Sequence, residues 1–157
     1  MSTHEVVEVE EWAKPLPGLD NVNTEYWKAA REGRLLIQEC PTCGHRQWYP
    51  RALCTQCAGD PEWLETAGRG TLHTFTVIRQ QGIPAFKAEL PYAVVMVELD
   101  EGPRIVSGMV DCPIEALEME MPVEVVFERS DRWGDRVLPR FRRTAGGAGS
   151  QAKGAGR

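Results

Sequence analysis

Four cysteines, Cys40, Cys43, Cys54 and Cys57, form two CxxC pairs in the stretch CPTCGHRQWYPRALCTQC, with ten residues between the pairs. A CxxC turn can aim both sulfurs at one ion, and two such turns brought together by a hairpin make a tetrahedral thiolate cage that suits zinc. Gly44 follows the first pair, where a tight knuckle needs a residue that tolerates positive φ, and Pro41 pre-sets the turn. In the second knuckle, CTQCAGD, the glycine comes one position later, at Gly59. A thioredoxin-like CxxC occurs singly, at a helix start after a strand, and lacks that setting here. A rubredoxin-type iron centre would use the same ligands but is expected to place more chain between its knuckles. The pattern predicts a zinc ribbon. Four thiolates leave the ion no open position, so its role is expected to be structural. The site's formal charge is about −2, which His45, Arg46 and Arg51 are placed to offset, unless they are ordinary surface residues.

Outside the ribbon no complete catalytic set is visible. Thiol catalysis needs a nucleophile and a base to activate it. The remaining cysteine, Cys112, sits in MVDCPIE with Asp111 and Glu115 close by, a setting that raises a thiol pKa and quiets it. His4 lies in the N-terminal arm and His45 in the ribbon, which leaves His73 on a strand as the sole candidate base. Glu98, Asp100 and Glu101 crowd a turn and read as solvated. There is no P-loop, no GxGxxG and no serine elbow. We expect no catalytic residues and no independent catalysis.

The elements that must hold the cysteines follow from periodicity. Residues 1–20 contain Pro15, Pro17 and Gly18 without a steady period and read as an extended arm, with Trp12 packed on something. NVNTEYWKAAREG then predicts a short helix capped by Asn23 and stopped by Gly33. Val22, Tyr26 and Ala30 share one face, and Lys28 and Glu32 lie four apart on the other. RLLIQE leads into the first knuckle as a strand, and Arg46 to Tyr49 form another before Pro50. PEWLETAGRG leads out to a boundary at Gly68 and Gly70. Beyond it TLHTFTVIRQ, YAVVMVELD, RIVSGMV, VEVVFER and VLPRFRR predict five strands, with YAVVMVELD apolar on both faces, DEGP a tight turn and PIEALEM a helical turn. The fold expected is mainly β: a helix, a rubredoxin-like zinc ribbon and a five-stranded OB-fold barrel. The boundaries are 1–33 for arm and helix, 34–66 for the ribbon, 67–143 for the barrel and 144–157 for a disordered Gly/Ala-rich tail.

Composition narrows the function. The 157 residues are 42% hydrophobic and 26% charged, with a mean hydropathy of −0.36, and the longest apolar run, Ala93 to Val97, is too short to span a bilayer. The acidic N-terminus lacks a signal-peptide core, which predicts a cytoplasmic protein. A net charge of −5 argues against general nucleic-acid binding, where Lys and Arg supply most of the affinity.

The ordered motifs YWKAAREGRLLIQEC, CxxCG, WYPR, CxxC, EWLETAGRGTLHTFTVI, PYAVVMVELDEGPRIVSG and MPVEVVFE resemble the zinc-ribbon plus OB-fold family catalogued as domain of unknown function 35. The likeness covers residues 21 to 143. It implies a non-catalytic partner of a thiolase-superfamily enzyme, whether thiolase, acyltransferase or steroid side-chain aldolase, acting on acyl-CoA thioesters. It also implies a hetero-oligomer with two copies of each chain. Some members are fused to a hot-dog-fold hydratase, a domain these residues do not contain. If coenzyme A reaches this chain, Arg79, Lys87, Arg104, Arg140, Arg142 and Arg143 are the barrel cations available to its phosphates. Trp12, Tyr26, Trp27, Trp48, Tyr49 and Trp63 stand outside the barrel strands as candidate anchors for the partner. A single-stranded nucleic-acid module of the same two folds is the alternative.

Overall fold

The computed structural model describes residues 3–9, 15–80, 82–134 and 136–144. Trp12 and the tail from residue 145 lie outside them. A short strand, β1 (Val6–Glu8), precedes the α-helix α1 (Thr24–Arg31). The ribbon follows as β2 (Leu36–Glu39), β3 (Arg46–Gln47) and β4 (Glu62–Glu65), antiparallel in the order β3-β2-β4.

The helix starts differently from expectation. Asn23 makes no side-chain capping bond. Its Oδ1 accepts the Asp20 N–H at 2.9 Å, while Asp20 Oδ1 accepts the N–H groups of Val22 and Asn23 at 2.8 Å. This reciprocal turn before the helix uses up the side chain that would otherwise cap it. Lys28 pairs with Glu25 at 2.7 Å, and Glu32 turns to Arg34 instead. The helix buries Tyr26, Trp27, Ala29 and Ala30. Its eight residues are too few to persist alone, so that apolar face supplies their stability.

The barrel comprises β5 (Arg69–Ile78), β6 (Tyr92–Leu99), β7 (Arg104–Gly108), β8 (Pro122–Arg129) and β9 (Val137–Arg143). β5 pairs with β6 along its length and with β8 at its start, β6 pairs with β7, and β8 pairs with β9. A parallel bridge between Met109 and Phe141 brings the end of β7 back to β9, giving the curled OB arrangement. The first barrel strand begins at Arg69, running through Gly70 where a boundary was expected. A Cβ on Gly70 would collide with the Glu98 carbonyl, so the close crossing of β5 over β6 requires the glycine. Side chains on β6 alternate strictly between buried and half-buried. Ala93, Val95, Val97 and Leu99 enter the core, while Tyr92, Val94 and Met96 stay on the outer, partly covered face.

The core runs without a break from helix and ribbon into barrel, through Tyr26, Leu35 and Ile37 to Leu72, Val95, Phe127, Val137 and Phe141. Each fully buried large side chain of this kind contributes about 1.5–3 kcal/mol relative to exposure. Residues 6–8, expected as part of an extended arm, form the paired strand β1. It lies parallel to β8 along Phe127–Arg129, the part of that edge which β5 leaves free. Buried backbone donors and acceptors need partners, and a strand edge is a ready supply for a passing extended segment.

Candidate metal centre

Both knuckles are built alike. In the first, the Gly44 N–H donates to the Cys40 carbonyl at 2.7 Å and the Cys40 N–H to the His45 carbonyl at 2.8 Å. In the second, Ala58 N–H donates to Cys54 carbonyl at 3.0 Å and Cys54 N–H to Gly59 carbonyl at 2.8 Å. The left-handed position is Gly44 in one (φ +71°) and Ala58 in the other (φ +58°). Gly59 therefore serves a different purpose: a Cβ there would stand 3.4 Å from the sulfurs of Cys40 and Cys57 and 3.1 Å from Thr42 Oγ1. It leaves room for the cluster.

The four sulfurs lie within 4.8 Å of one another. Cys40 and Cys57 are 3.5 Å apart, and Cys43 and Cys54 are 3.7 Å apart. A disulfide needs about 2.0 Å, whereas a tetrahedron with Zn–S of about 2.3 Å has edges of about 3.8 Å. The donor set fits zinc. Cys40 and Cys54 are buried, and Cys43 and Cys57 are exposed. Burial pushes the Cys40 thiol up, but the Cys43 N–H, the Cys57 thiol and the Thr42 N–H outweigh it and bring it to about 6. The Gly59 N–H lowers Cys57, yet the neighbouring sulfurs of Cys43 and Cys40 push it up to about 12. Four thiolates this close require a cation to share them.

Two glutamines that the sequence pattern did not single out hold the loop between the knuckles. Gln38 and Gln47 are 5% and 6% exposed. Gln38 Oε1 accepts the Arg51 N–H at 2.8 Å and Gln38 Nε2 donates to the Arg51 carbonyl at 3.0 Å. Gln47 Nε2 donates to Gln38 Oε1 at 2.9 Å, and Gln47 Oε1 accepts the Thr55 N–H at 2.9 Å. The pair turns buried side-chain amides into a substitute for the missing backbone ladder. The available signal was a polar residue at an inward position of each short strand.

His45 and Arg46 make local contacts beside the cluster. His45 Nε2 lies 3.1 Å from Thr55 Oγ1, and Arg46 pairs with Glu39 at 2.5 Å while donating to the Glu101 carbonyl at 3.2 Å. His45, Arg46, Arg51, Tyr49 and Arg104 line an open cleft of about 490 Å³ between ribbon and barrel. Of the expected anchors, Tyr26 and Trp27 are buried and Trp48 and Trp63 pack on the core; Tyr49 is 55% exposed.

The remaining candidate chemistry does not assemble. His73 sits in a β-bulge between Leu72 and Thr74, with Nδ1 4.0 Å from Glu98, which Arg104 holds at 2.7 Å. Burial, and not the acidic neighbours Asp111 and Glu115 as expected, pushes the Cys112 thiol up, with Arg143 opposing. No hydrogen bond joins Cys112 to His73 among the described residues. Among the barrel cations, Arg140 is held by Glu128 and Arg142 by Glu124 and Glu5.

Comparison with known proteins agrees with this architecture. Residues 27–63 match the rubredoxin-like zinc ribbon domain of ChsH2, and residues 63–128 match its C-terminal OB-fold domain. A DUF35 domain-containing scaffold protein of Methanocaldococcus jannaschii is 31% identical over 119 residues, covering 74% of this chain and 84% of that protein. The chain belongs to the DUF35 family. A probable enoyl-CoA hydratase alpha subunit of Thermomonospora curvata is 34% identical over 131 residues, 82% of this chain; the chain spans 40% of that relative's length. Among solved structures, the Ltp2-ChsH2(DUF35) aldolase aligns with a TM-score of 0.71 and 32% identity, over 82% of this DUF35 chain and 98% of the other. No helix among the described residues is long and apolar enough to cross a membrane.

Proposed function

We propose that the chain is a cytoplasmic, non-catalytic accessory subunit that docks on a thiolase-superfamily enzyme acting on acyl-CoA thioesters. The observation that carries this reading is the likeness to the Ltp2-ChsH2(DUF35) aldolase, whose name puts a DUF35 chain together with an aldolase. The scaffold name of its archaeal relative points the same way. So does the chemistry: Cys112 and His73 are not joined, and Glu98 is committed to Arg104. Four barrel arginines, Arg104, Arg129, Arg140 and Arg142, are paired with glutamates, which disfavours the nucleic-acid alternative. In this reading Cys40, Cys43, Cys54 and Cys57 hold one structural zinc, within a ribbon of residues 34–66 followed by a barrel of residues 67–143.

Co-expression with a thiolase-like enzyme of the same organism, followed by size-exclusion chromatography with light scattering, tests the proposal. The expected species contains two copies of each chain. Separate elution at about micromolar concentration, with the enzyme equally active alone, would remove the accessory role. Acyl-CoA turnover by the isolated chain that disappears in Cys112→Ala or His73→Ala would make it an enzyme instead.

A further inference from the structure

His4 lies where arm, helix end, ribbon and barrel meet, and two glycines make room for it. A Cβ on Gly33 would collide with the His4 carbonyl, and one on Gly68 with the imidazole Nε2. The His4 N–H donates to the Gly33 carbonyl at 2.8 Å. The ring is hydrogen-bonded to the Ala67 backbone, and Nε2 is buried without a partner. The bond to Ala67 therefore runs through Nδ1, donating to the carbonyl, because the Ala67 N–H is taken by Glu101 Oε1 at 2.7 Å. Neutral imidazole satisfies this slot with one proton. A second proton would sit on Nε2, buried and facing no acceptor.

The charges around the slot do not rescue that second proton. Glu65 on β4, Glu124 on β8 and Arg69 on β5 act on the ring. Glu65 is already held by Arg34 at 3.2 Å, and Glu124 by Arg142 at 3.1 Å. On the arm itself, Glu5 is also taken by Arg142, at 2.6 Å. These three carboxylates are committed to guanidiniums, Glu101 spends Oε1 on the Ala67 N–H, and Arg69 adds repulsion.

We propose that His4 is an acid-released latch, pinning β1 to the barrel when neutral and freeing the strand when it takes up a proton. Burial is the largest influence and lowers the docked imidazole below its ordinary value, against the opposing Ala67 bond and Glu124. A group with a depressed docked value favours docking fully above the free value of about 6.5; docking weakens as pH falls below that and levels off beneath the docked value. Release would break the bonds from the Phe127 N–H to the Glu5 carbonyl (2.9 Å) and from the Val9 N–H to the Arg129 carbonyl (2.8 Å). What opens is a free sheet edge, able to pair with another extended segment.

Hydrogen exchange on the full, zinc-loaded chain between about pH 7.5 and about pH 5.5, corrected for intrinsic rates, reads the opening directly. The opening constant for residues 5–9 and 127–129 should rise by up to about tenfold per pH unit, the limit for one proton, while α1 protection stays level. His4→Gln keeps a donor for Ala67 and cannot titrate, so its opening should be flat across the same range. A flat response in the native chain, or an equal slope in His4→Gln, overturns the latch. NMR titration of the His4 ring gives an independent reading: a midpoint below the ordinary histidine value supports it, and one at or above that value overturns it.

Discussion

Between Leu36 and Glu65 the buried side chains are Leu36, Ile37, Gln38, Cys40, Gln47 and Cys54, whereas β6 and β8 bury Val95, Val97, Leu99, Val123, Val125, Val126 and Phe127. Ribbon and barrel are neighbours in one continuous core, yet they are specified by different forces. The barrel strands have enough apolar surface to exclude water on one face, so burial and backbone ladders suffice. The ribbon has strands of two and four residues and too little apolar area for independent stability. It relies instead on sulfur ligands and two amide side chains, which are directional and depend on solution conditions. Small units substitute a few strong, specific contacts for many weak ones.

The contrast predicts unequal responses. Chelating zinc, or replacing Cys40 with Ser, should remove binding energy on the order of 10 kcal/mol from the ribbon. Elemental analysis should show loss of one metal, and exchange should show residues 36–65 opening while β5, β6 and β8 remain protected. Simultaneous loss of barrel protection would mean that the two regions are not separable.

Phe141→Ala should do the reverse. It removes a fully buried ring beside the strand bridge and should cost about 3–5 kcal/mol in denaturant unfolding, with zinc content unchanged in the folded fraction. Gln47→Leu leaves the Gln38 amide and the Thr55 N–H short of a partner, for about 1–3 kcal/mol. The expected sign is faster exchange in residues 48–55 with zinc retained; loss of zinc instead would place Gln47 among the determinants of metal binding. The smallest effect belongs to Ala58→Gly. Relieving a left-handed alanine should stabilise the second knuckle by about 1 kcal/mol, read as slower zinc release to a chelator.

Most of this division was legible in the sequence, for reasons that differ by region. Cys40, Cys43, Cys54 and Cys57 announced themselves because few uses other than a metal explain two close CxxC pairs. The five barrel strands followed from β-branched runs broken by turn residues. Other features depend on contacts distant in sequence and leave little local trace. β1 has only the residues VVE, and its partner strand is about 120 positions later, as the Glu8–Arg129 separation of 121 shows. Gln38 and Gln47 look like surface residues until the loop they hold is present. Trp133, buried on a single turn after β8, gave no periodic signal at all. Ala58 shows the limit of composition: knuckle geometry placed it at positive φ, while the adjacent glycine was needed for space.

The parallel pairing of β1 with β8 also orders events during synthesis. Residues 6–8 leave the ribosome long before Phe127–Arg129, and Glu5 waits still longer for Arg142, 137 positions away. Knuckles and hairpins close over far shorter spans, so zinc capture and barrel nucleation can precede arm docking. Until β8 has emerged the arm has no seat, and an extended VVE segment stays exposed to other strand edges. The β1 segment is therefore made well before the edge that receives it, and nascent chains stalled before residue 129 should carry it undocked.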